Sequence, residues 1–379
     1  MTQKIQAICD KLALEPVFQM SLNSKELFHS NMLAWFCESY PKEATEVFSQ
    51  WVPSRESTRH QIKREKNNLD LVIEIPGLAP VVIENKVFSP PDDHQLNRYS
   101  EKKIIDHLEN PTLILLSLGN PKWDGNVMVS PSGMSWRFVS YRELSIALSS
   151  AVKEILGFGG DLIRHYVVVI NLLQEALDEI SILNAAEQVF LDSSTHEILE
   201  QIRMADAFGK LRARWSIAEI SQLMKPLIGT NEITFDSGFT NGKPLIEAYV
   251  RGQNGDRIGW QYQANQWRLV VWSASHVGDT ADLRRKREDY VAQQYKDWFD
   301  FDPLQTLIER KISKISKLET KGGFLCYSPD FVYRKRDLPD LTISELEKLS
   351  RHYLARAINL TKYIESLQAK CRLNLLIQH

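Results

Sequence analysis

Two consecutive apolar runs carry an aspartate and a Glu-x-Lys tripeptide, and this arrangement constrains the fold more than any other feature. The first run covers residues 68–75 and the second covers residues 79–88. Both runs are rich in β-branched residues, and the Pro-Gly dipeptide at 76–77 is typical of a turn. We therefore predict two neighbouring antiparallel strands that are joined at this turn.

Strand periodicity brings the charged side chains of these runs together. Because side chains alternate across a strand, Glu84 and Lys86 point the same way, and Asn85 faces the other side. Asp70 and Glu84 are nearly equidistant from the turn, so we expect them to lie across from each other. Two carboxylates in an apolar sheet repel each other and are costly to desolvate, so they need a cation between them.

A divalent metal ion is the natural cation for such a pair. Hard oxygen ligands with water in the remaining positions suit Mg²⁺, which commonly meets its substrate through phosphate oxygens. This predicts phosphodiester hydrolysis, in which Lys86 orients or helps to deprotonate the attacking water. The alternative is that Glu84 and Lys86 form a surface ion pair and that Asp70 is solvated, because so short a motif is common by chance.

The residues after the second run extend the motif. The segment 90–93, Pro-Pro-Asp-Asp, is typical of a helix start, and we predict a helix from residue 92 to about 107. Gln95 and Tyr99 lie four residues apart on one face of it. With these residues the chain resembles the RecB-like branch of the PD-(D/E)XK nuclease superfamily, in which D…ExK is followed by Gln-x-x-x-Tyr. The resemblance implies that both residues contact the nucleic acid or steady the site.

The same resemblance implies a role for each residue of the D…ExK motif. It implies that Asp70 and Glu84 bind a metal ion, together with the main-chain carbonyl of Asn85. It implies that Lys86 is catalytic. The expected metal is Mg²⁺, for which Mn²⁺ can substitute.

An N-terminal segment, residues 26–36, resembles the E…HS…LAW opening of a bacterial branch of this superfamily. That resemblance implies that Glu26 is an additional acidic residue of the site. Alternatively, Glu26 forms a capping box with Asn23, at the start of a helix over 23–38. His29 is expected to be a hydrogen-bonded structural residue or, alternatively, to reach the outer shell of the metal. Four side chains at helical spacing are predicted to be core: Phe28, Met32, Trp35 and Phe36.

The remaining elements of the first half predict an α/β (α+β) fold with a restriction-endonuclease-like αβββαβ core and a central mixed sheet. A strand is expected near residues 60–65. Buried or amphipathic elements are expected after the Gln95 helix, namely strands at 112–118 and 136–139, a helix opened by a Ser140–Glu143 capping box, and an apolar helix over 163–177.

Length and composition predict a globular chain of two domains, since it has 379 residues, 43% apolar and 25% charged. We place a PD-(D/E)XK nuclease-like domain at 1–182. We place an α+β accessory domain at 183–379, for substrate recognition or for an oligomer or partner contact. The elements expected in it are helices over 192–227, 283–299 and 344–375, strands at 232–236, 244–251, 258–262 and 267–272, a hairpin turn at 264–266, and strands near 324 and 331.

Alternating aromatic residues mark the expected strands of the second domain: Trp260, Tyr262, Trp267 and Trp272. We expect them to be sheet core; the alternative is a stacking platform for unpaired bases. The four cysteines are widely spread and form no ligand motif, which argues against a disulfide framework, an iron–sulfur cluster and a zinc site: Cys9, Cys37, Cys326 and Cys371. We expect no membrane partner and, without a signal-peptide pattern, a cytoplasmic location.

A net charge of −2 gives no global attraction to nucleic acid, so binding depends on local basic patches. Such clusters are either solvated faces or phosphate contacts. The expected phosphate contacts nearest the motif are Lys63, Arg64 and Arg98. Further basic clusters are Lys66, Lys102–Lys103, Arg284–Arg287, Lys311, Lys314, Lys317 and Lys321, and Arg334–Arg336.

Taken together, these features predict a metal-dependent nuclease that acts on DNA rather than RNA, in bacterial defence, restriction or repair. One alternative is a catalytically silent nucleic-acid-binding module on the same fold. Another is a nuclease triggered by a protein partner, with the C-terminal domain making that contact or forming a homodimer.

Overall fold

The computed structural model describes residues 2–52, 61–66, 69–74, 79–89, 91–101, 108, 110–182, 184–228, 232–252, 254–308, 324–327 and 329–377. Packing divides the chain into two compact units. The first consists of residues up to 181 together with 193–211, and the second of residues 182–192 and those from 212 onward. The expected domain boundary after residue 182 stays a prediction.

The first unit combines a six-stranded sheet with a set of helices. Its helices are α1 (Thr2–Leu14), α2 (Pro16–Ser24), α3 (Glu26–Ser39), α4 (Pro41–Phe48), α5 (Asp93–Tyr99), α6 (Tyr141–Ala151), α7 (Phe158–Glu179) and α8 (Ser193–Gln201), and the unit boundary falls within α9 (Ala205–Ile228). Its strands are β1 (Gln61–Lys66), β2 (Leu69–Glu74), β3 (Val81–Lys86), β4 (Thr112–Ser117), β5 (Val127–Val129) and β6 (Ser135–Ser140).

The sheet of the first unit is mixed, with the order β1-β2-β3-β4-β6-β5. Strand β2 runs antiparallel to both β1 and β3, whereas β4 is parallel to β3 and β6 is parallel to β4. The central strand β4 is an apolar run because it is covered on both faces, as parallel strands usually are. The predicted αβββαβ core with its mixed sheet is confirmed by the series α3-β1-β2-β3-α5-β4.

The register of β2 and β3 follows the predicted antiparallel pairing. Leu71 faces Ile83, and Val72 faces Val82. One step further along this register, Asp70 comes opposite Glu84. The predicted turn at 76–77 lies outside the described residues.

Two local predictions around α5 and α6 have different outcomes. Ser140 caps α6 by accepting a hydrogen bond from the Glu143 main chain at 3.1 Å, and the Glu143 carboxylate accepts the Ser140 N–H at 2.8 Å, which confirms the capping box. Helix α5 ends at Tyr99 instead of near residue 107. Residues 102–107 lie outside the described part of the chain.

The predicted helix over 23–38 is wrong at its start. Lys25 has a φ of +48° and its N–H bonds to the Ser21 carbonyl, so α2 ends there and α3 begins afresh at Glu26. Asn23 lies inside α2 and cannot cap α3, which removes the proposed Asn23–Glu26 capping box.

The buried face of α3 differs from the predicted apolar stripe. Met32 and Phe36 are core as expected, but Phe28 and Trp35 are only half-buried. His29 and Ser30 are buried in their place, because α3 packs against β1, β2 and β3 through a face that contains polar side chains.

The second unit has a six-stranded antiparallel sheet with the order β11-β12-β10-β9-β8-β7. Its elements after α9 are β7 (Ile233–Thr240), β8 (Lys243–Arg251), β9 (Arg257–Gln263), β10 (Gln266–Trp272), α10 (Ala281–Gln294), α11 (Pro303–Leu307), β11 (Leu325–Tyr327), β12 (Phe331–Asp337) and α12 (Ile343–Ile377). Helix α12 packs against β8 and β9.

The β9–β10 hairpin confirms the predicted turn. Ala264 and Asn265 both have positive φ, +50° and +59°, as a two-residue turn of type I′ requires. Trp260, Tyr262 and Trp267 are at most 1% exposed, and Trp272 is 5% exposed, so the predicted core role is confirmed over the stacking platform. None of the described helices has the length and apolar character needed to span a membrane.

Candidate active site

The carboxylate–lysine cluster, Asp70, Glu84 and Lys86, lies where β2 and β3 run side by side. Residues opposite each other in an antiparallel pair project from the same face, so Asp70 and Glu84 share a face with Lys86. The Lys86 ammonium lies 2.9 Å from Glu84 Oε1. Asp70 Oδ2 accepts a hydrogen bond of 2.8 Å from the Asn85 main-chain N–H. The structure therefore brings the three side chains together.

Glu84 is an almost fully buried acid, with 1% of its surface exposed. Its second oxygen, Oε2, is buried and has no hydrogen-bond partner among the described residues. Burial and, after it, the charge of Asp70 raise the pKa of Glu84 to about 7, although the charge and hydrogen bond of Lys86 act in the opposite direction. A carboxylate in this position holds a proton or a cation near neutral pH.

Lys86 is also largely buried, with 13% of its side chain exposed. Burial alone would lower its pKa, but the charge and hydrogen bond of Glu84, with the charges of Asp70 and Glu26, raise the pKa of Lys86 above its usual value. Lys86 is therefore an ammonium ion at neutral pH in this arrangement. Such a group can orient water and offset phosphate charge, and is poorly suited to accept a proton.

Helix α5 places Gln95 and Tyr99 beside the cluster. Asp92 caps this helix by accepting the N–H groups of His94 and Gln95. The Gln95 amide donates to the Tyr99 hydroxyl. Burial raises the pKa of Tyr99, and the charges of the carboxylate–lysine cluster act on it as well, so Tyr99 lies within electrostatic reach of the site.

Glu26 reaches the segment that follows β3. Its Oε1 accepts hydrogen bonds from the Phe88 main chain at 2.9 Å and from the Ser89 hydroxyl at 2.8 Å. Its charge contributes to the raised pKa values of Glu84 and Lys86. Glu26 therefore lies near the cluster and holds the chain after β3, while its participation in the chemistry stays a prediction.

The residues present fit a hard divalent cation. Within the described residues no three His, Cys, Asp or Glu side chains form a metal-binding group, so Glu26 does not complete a three-carboxylate set here. Two carboxylates and the Asn85 carbonyl make a small oxygen donor set, and Mg²⁺ commonly binds through one or two carboxylates while keeping several waters. The unpartnered Oε2 of Glu84 is the oxygen that such a cation would satisfy.

Three further residues of this region are buried. The sequence indicated two alternative roles for one of them, His29, and did not indicate the other two. His29 is fully buried, and its Nδ1 is 3.0 Å from the Tyr166 hydroxyl, which favours the structural role. Burial lowers the pKa of His29 to about 3, so it is neutral. Tyr141 and Tyr166 were missed; the one available signal was a tyrosine placed directly after the Ser140 cap.

The basic residues near the motif differ in their partners. Lys63 forms an ion pair with Glu74 on the neighbouring strand. Arg64 donates to Asn31 Oδ1 at 2.9 Å. Arg98 is exposed on α5, between Gln95 and Tyr99.

The basic cluster 284–287 is partly structural. Arg287 is fully buried and donates to the carbonyls of His276, Gly278 and Pro329, which excludes it as a phosphate contact. Its three neighbours form ion pairs with nearby aspartates. Arg334 and Arg336 stack on aromatic rings. The structure describes the main chain of Lys66 but not its side chain, and the remaining basic residues lie outside the described residues: Lys102, Lys103, Lys311, Lys314, Lys317 and Lys321.

Comparison with known proteins gives one match. A family model described as the PD-(D/E)XK nuclease superfamily matches residues 17–167. Neither the curated proteins nor the solved structures gave a match. The matched segment contains the carboxylate–lysine cluster and α5, so this part of the chain is similar to a nuclease domain. The match indicates phosphodiester hydrolysis and nucleic acid as the substrate class, and it ends before the second unit begins.

Proposed function

We propose that the chain is a metal-dependent nuclease that hydrolyses phosphodiester bonds of DNA, within the RecB-like branch of the superfamily that it resembles. The observation that carries this proposal is the buried Glu84 carboxylate. It lies beside Asp70 and Lys86, and its Oε2 has no hydrogen-bond partner among the described residues. Such an oxygen is costly to bury unless a cation or a proton completes it.

Each member of the cluster has its own proposed task. Asp70, Glu84 and the Asn85 carbonyl hold Mg²⁺, or Mn²⁺ in its place. When bound, this metal acts as a Lewis acid and lowers the pKa of coordinated water. Lys86, as an ammonium ion, orients the attacking water and offsets the negative charge of the scissile phosphate.

The nucleic acid is proposed to cross the cluster along α5. Gln95 and Tyr99 form a bonded pair beside the cluster and contact the strand or steady the site. Arg98 is exposed on the same helix and contacts phosphate. Lys63 and Arg64 are weaker candidates, because each already has a protein partner.

The wider role is proposed as bacterial defence, restriction or repair in the cytoplasm, with the second unit recognising substrate, a second copy or a protein partner. The catalytically silent alternative is disfavoured because all three residues of the motif are present, and Asp70, Glu84 and Lys86 lie next to one another.

Cleavage of DNA by the purified full chain tests this function. Supercoiled, linear and single-stranded DNA are each incubated with Mg²⁺ or Mn²⁺, alongside EDTA. Glu84→Gln removes the proposed ligand charge, and Asp178→Asn is the matched control, because Asp178 is exposed and paired with Arg142 on the helices α6 and α7. We expect cleavage that is lost with EDTA and in Glu84→Gln and is kept in Asp178→Asn. Cleavage that survives Glu84→Gln would contradict the proposal.

A further inference from the structure

A buried chain of hydrogen bonds runs behind β3, on the face opposite the carboxylate–lysine cluster. The Tyr141 hydroxyl donates to Asn85 Oδ1. The hydroxyls of Tyr141 and Tyr166 lie close enough for each to act on the pKa of the other, and Tyr166 is bonded to His29 Nδ1 at 3.0 Å. All four side chains are at most 1% exposed. These polar side chains are therefore buried at a position where apolar side chains would have a lower desolvation cost.

Counting protons gives this chain a single direction. Tyr141 uses its only O–H on Asn85, so a hydrogen bond between the two tyrosines requires Tyr166 as the donor. His29 then donates from Nδ1 to Tyr166, which leaves Nε2 as the nitrogen without a proton. Consistent with this tautomer, Nε2 of His29 is buried and makes no hydrogen bond among the described residues. The chain ends on the Asn85 amide.

The first turns of α3 hold the other side of that amide. Asn85 Nδ2 donates to the Glu26 carbonyl at 3.2 Å and to Ser30 Oγ at 3.1 Å. The Glu26 carboxylate holds the main chain at Phe88. The Glu-x-x-His-Ser pattern at 26–30 thus supplies three residues that contact the β3 segment or the tyrosines behind it.

Asn85 is directly connected to both carboxylates of the cluster. It lies between Glu84 and Lys86, and its main-chain N–H bonds to Asp70. If its side chain were released, the peptide could rotate, and both the Asp70 bond and the direction of the Asn85 carbonyl would change. Both polar atoms of the Asn85 amide have hydrogen-bond partners, and such satisfied buried groups make a segment rigid.

We propose that Tyr141, held by Tyr166 and His29, is a positioning residue that fixes the Asn85 amide and thereby sets the oxygen ligands of the metal site. This inference rests on the proposed function, because it concerns the same site. It assigns the buried tyrosines a task beyond filling the core. Outer residues that orient metal ligands commonly affect metal affinity by about 10–100-fold.

The test measures Mn²⁺ affinity of the full chain by titration calorimetry, with no substrate present. Tyr141→Phe and Asn85→Leu each break the Tyr141–Asn85 bond, and the double variant replaces both partners. Tyr353→Phe is the matched control, since Tyr353 is a buried tyrosine whose hydroxyl donates to the Asp300 carbonyl in the second unit. Tyr166→Phe is a second variant with intact Asn85 contacts, should Tyr141→Phe fail to fold.

We expect Tyr141→Phe to weaken Mn²⁺ binding by about tenfold or more. We expect Tyr141→Phe to have no further effect once Asn85 is leucine, because the two residues act through one bond. Tyr353→Phe should bind Mn²⁺ as the wild type does.

Three results would overturn the inference. The first is wild-type Mn²⁺ affinity in Tyr141→Phe, with the thermal midpoint alone lowered, which would mean that the network serves only the fold. The second is loss of folding in both tyrosine variants, which would mean the same. The third is that the protein binds no Mn²⁺, or binds it equally well when Asp70 is replaced. This result would overturn the proposed function as well, whereas the first two would overturn only the role of Tyr141.

Discussion

The main-chain N–H of Asn85 donates a 2.8 Å hydrogen bond to the Asp70 carboxylate, so the acid of β2 is fastened to the middle of the Glu84–Lys86 segment of β3. This bond links the geometry of the two strands to the chemistry of the site. It also separates two contributions of Asp70, because its charge is proposed to hold the metal and its oxygen satisfies a buried N–H. Substitutions can remove them separately.

Asp70→Asn and Asp70→Ala should differ in stability and agree in activity. Asparagine keeps an oxygen for the Asn85 N–H, whereas alanine leaves that donor unpaired, at a cost of about 1–3 kcal/mol. Both variants lose the ligand charge, so cleavage should fall by about 100-fold or more in each. Urea unfolding and single-turnover cleavage check the two effects. Equal stability of the two variants would show that the Asn85 bond contributes little.

Glu84 should make the metal-free protein less stable as pH rises. The pKa of Glu84 is about 7 in the folded chain, whereas an unperturbed glutamate, as in the unfolded chain, has a pKa of 4.5. The folded state therefore binds the proton more tightly. The stabilisation by the protonated acid is fully present below pH 4.5 and is lost as pH rises through 7. It amounts to about 3 kcal/mol.

Glu84→Gln should remove this pH dependence. Denaturation with EDTA present, at several pH values between 5 and 8, compares the variant with the wild type. We expect Glu84→Gln to gain relative stability as pH rises. A stability difference that does not change with pH would contradict the burial of an ionisable Glu84. Adding Mg²⁺ should restore the stability of the wild type at high pH and should have little effect on the stability of the variant.

Lys86→Ala should separate metal binding from catalysis. Lys86 competes with a metal for the Glu84 carboxylate, since its ammonium lies 2.9 Å from Oε1. Its removal should leave Mn²⁺ affinity unchanged or higher, while cleavage falls by about 100-fold or more. Calorimetry and a cleavage assay on the same sample measure both. Loss of Mn²⁺ binding together with activity would assign Lys86 to the fold of the site and not to its chemistry.

Arg98→Gln should weaken DNA binding in a salt-dependent way. If the exposed Arg98 neutralises one phosphate, the slope of log K against log salt should become shallower by about 1. Arg142→Gln is the control, because Arg142 is exposed but already paired with Asp178. Fluorescence anisotropy in EDTA, across a salt series, measures the slopes. A slope that Arg98→Gln leaves unchanged would remove Arg98 from the nucleic-acid interface.

The strand pair could be predicted because its information is local. Two apolar runs and a Pro-Gly dipeptide imply the register in which Asp70 comes opposite Glu84. The Ser140 capping box and the 264–265 turn were equally predictable, since each depends on residues only a few positions apart.

Other features depend on tertiary packing and escaped prediction for that reason. The break at Lys25 has no glycine or proline to mark it, yet the chain takes a positive φ there. The strand β5 spans three residues, pairs with β6 alone among the described strands, and has an exposed pattern that resembles a loop. Tyr141 and Tyr166 lie on different helices, and only the packed structure brings them behind Asn85.

Anomalous diffraction from crystals of the full chain grown with Mn²⁺ tests the central claim most directly. We predict an anomalous peak for a Mn²⁺ ion that is bound by the carboxylates of Asp70 and Glu84 and by the Asn85 carbonyl, with Lys86 beside it. Lys86 should then have left Glu84 Oε1 or share that oxygen with the metal. A Mn²⁺ ion bound elsewhere, with the Glu84–Lys86 ion pair intact, would contradict the account.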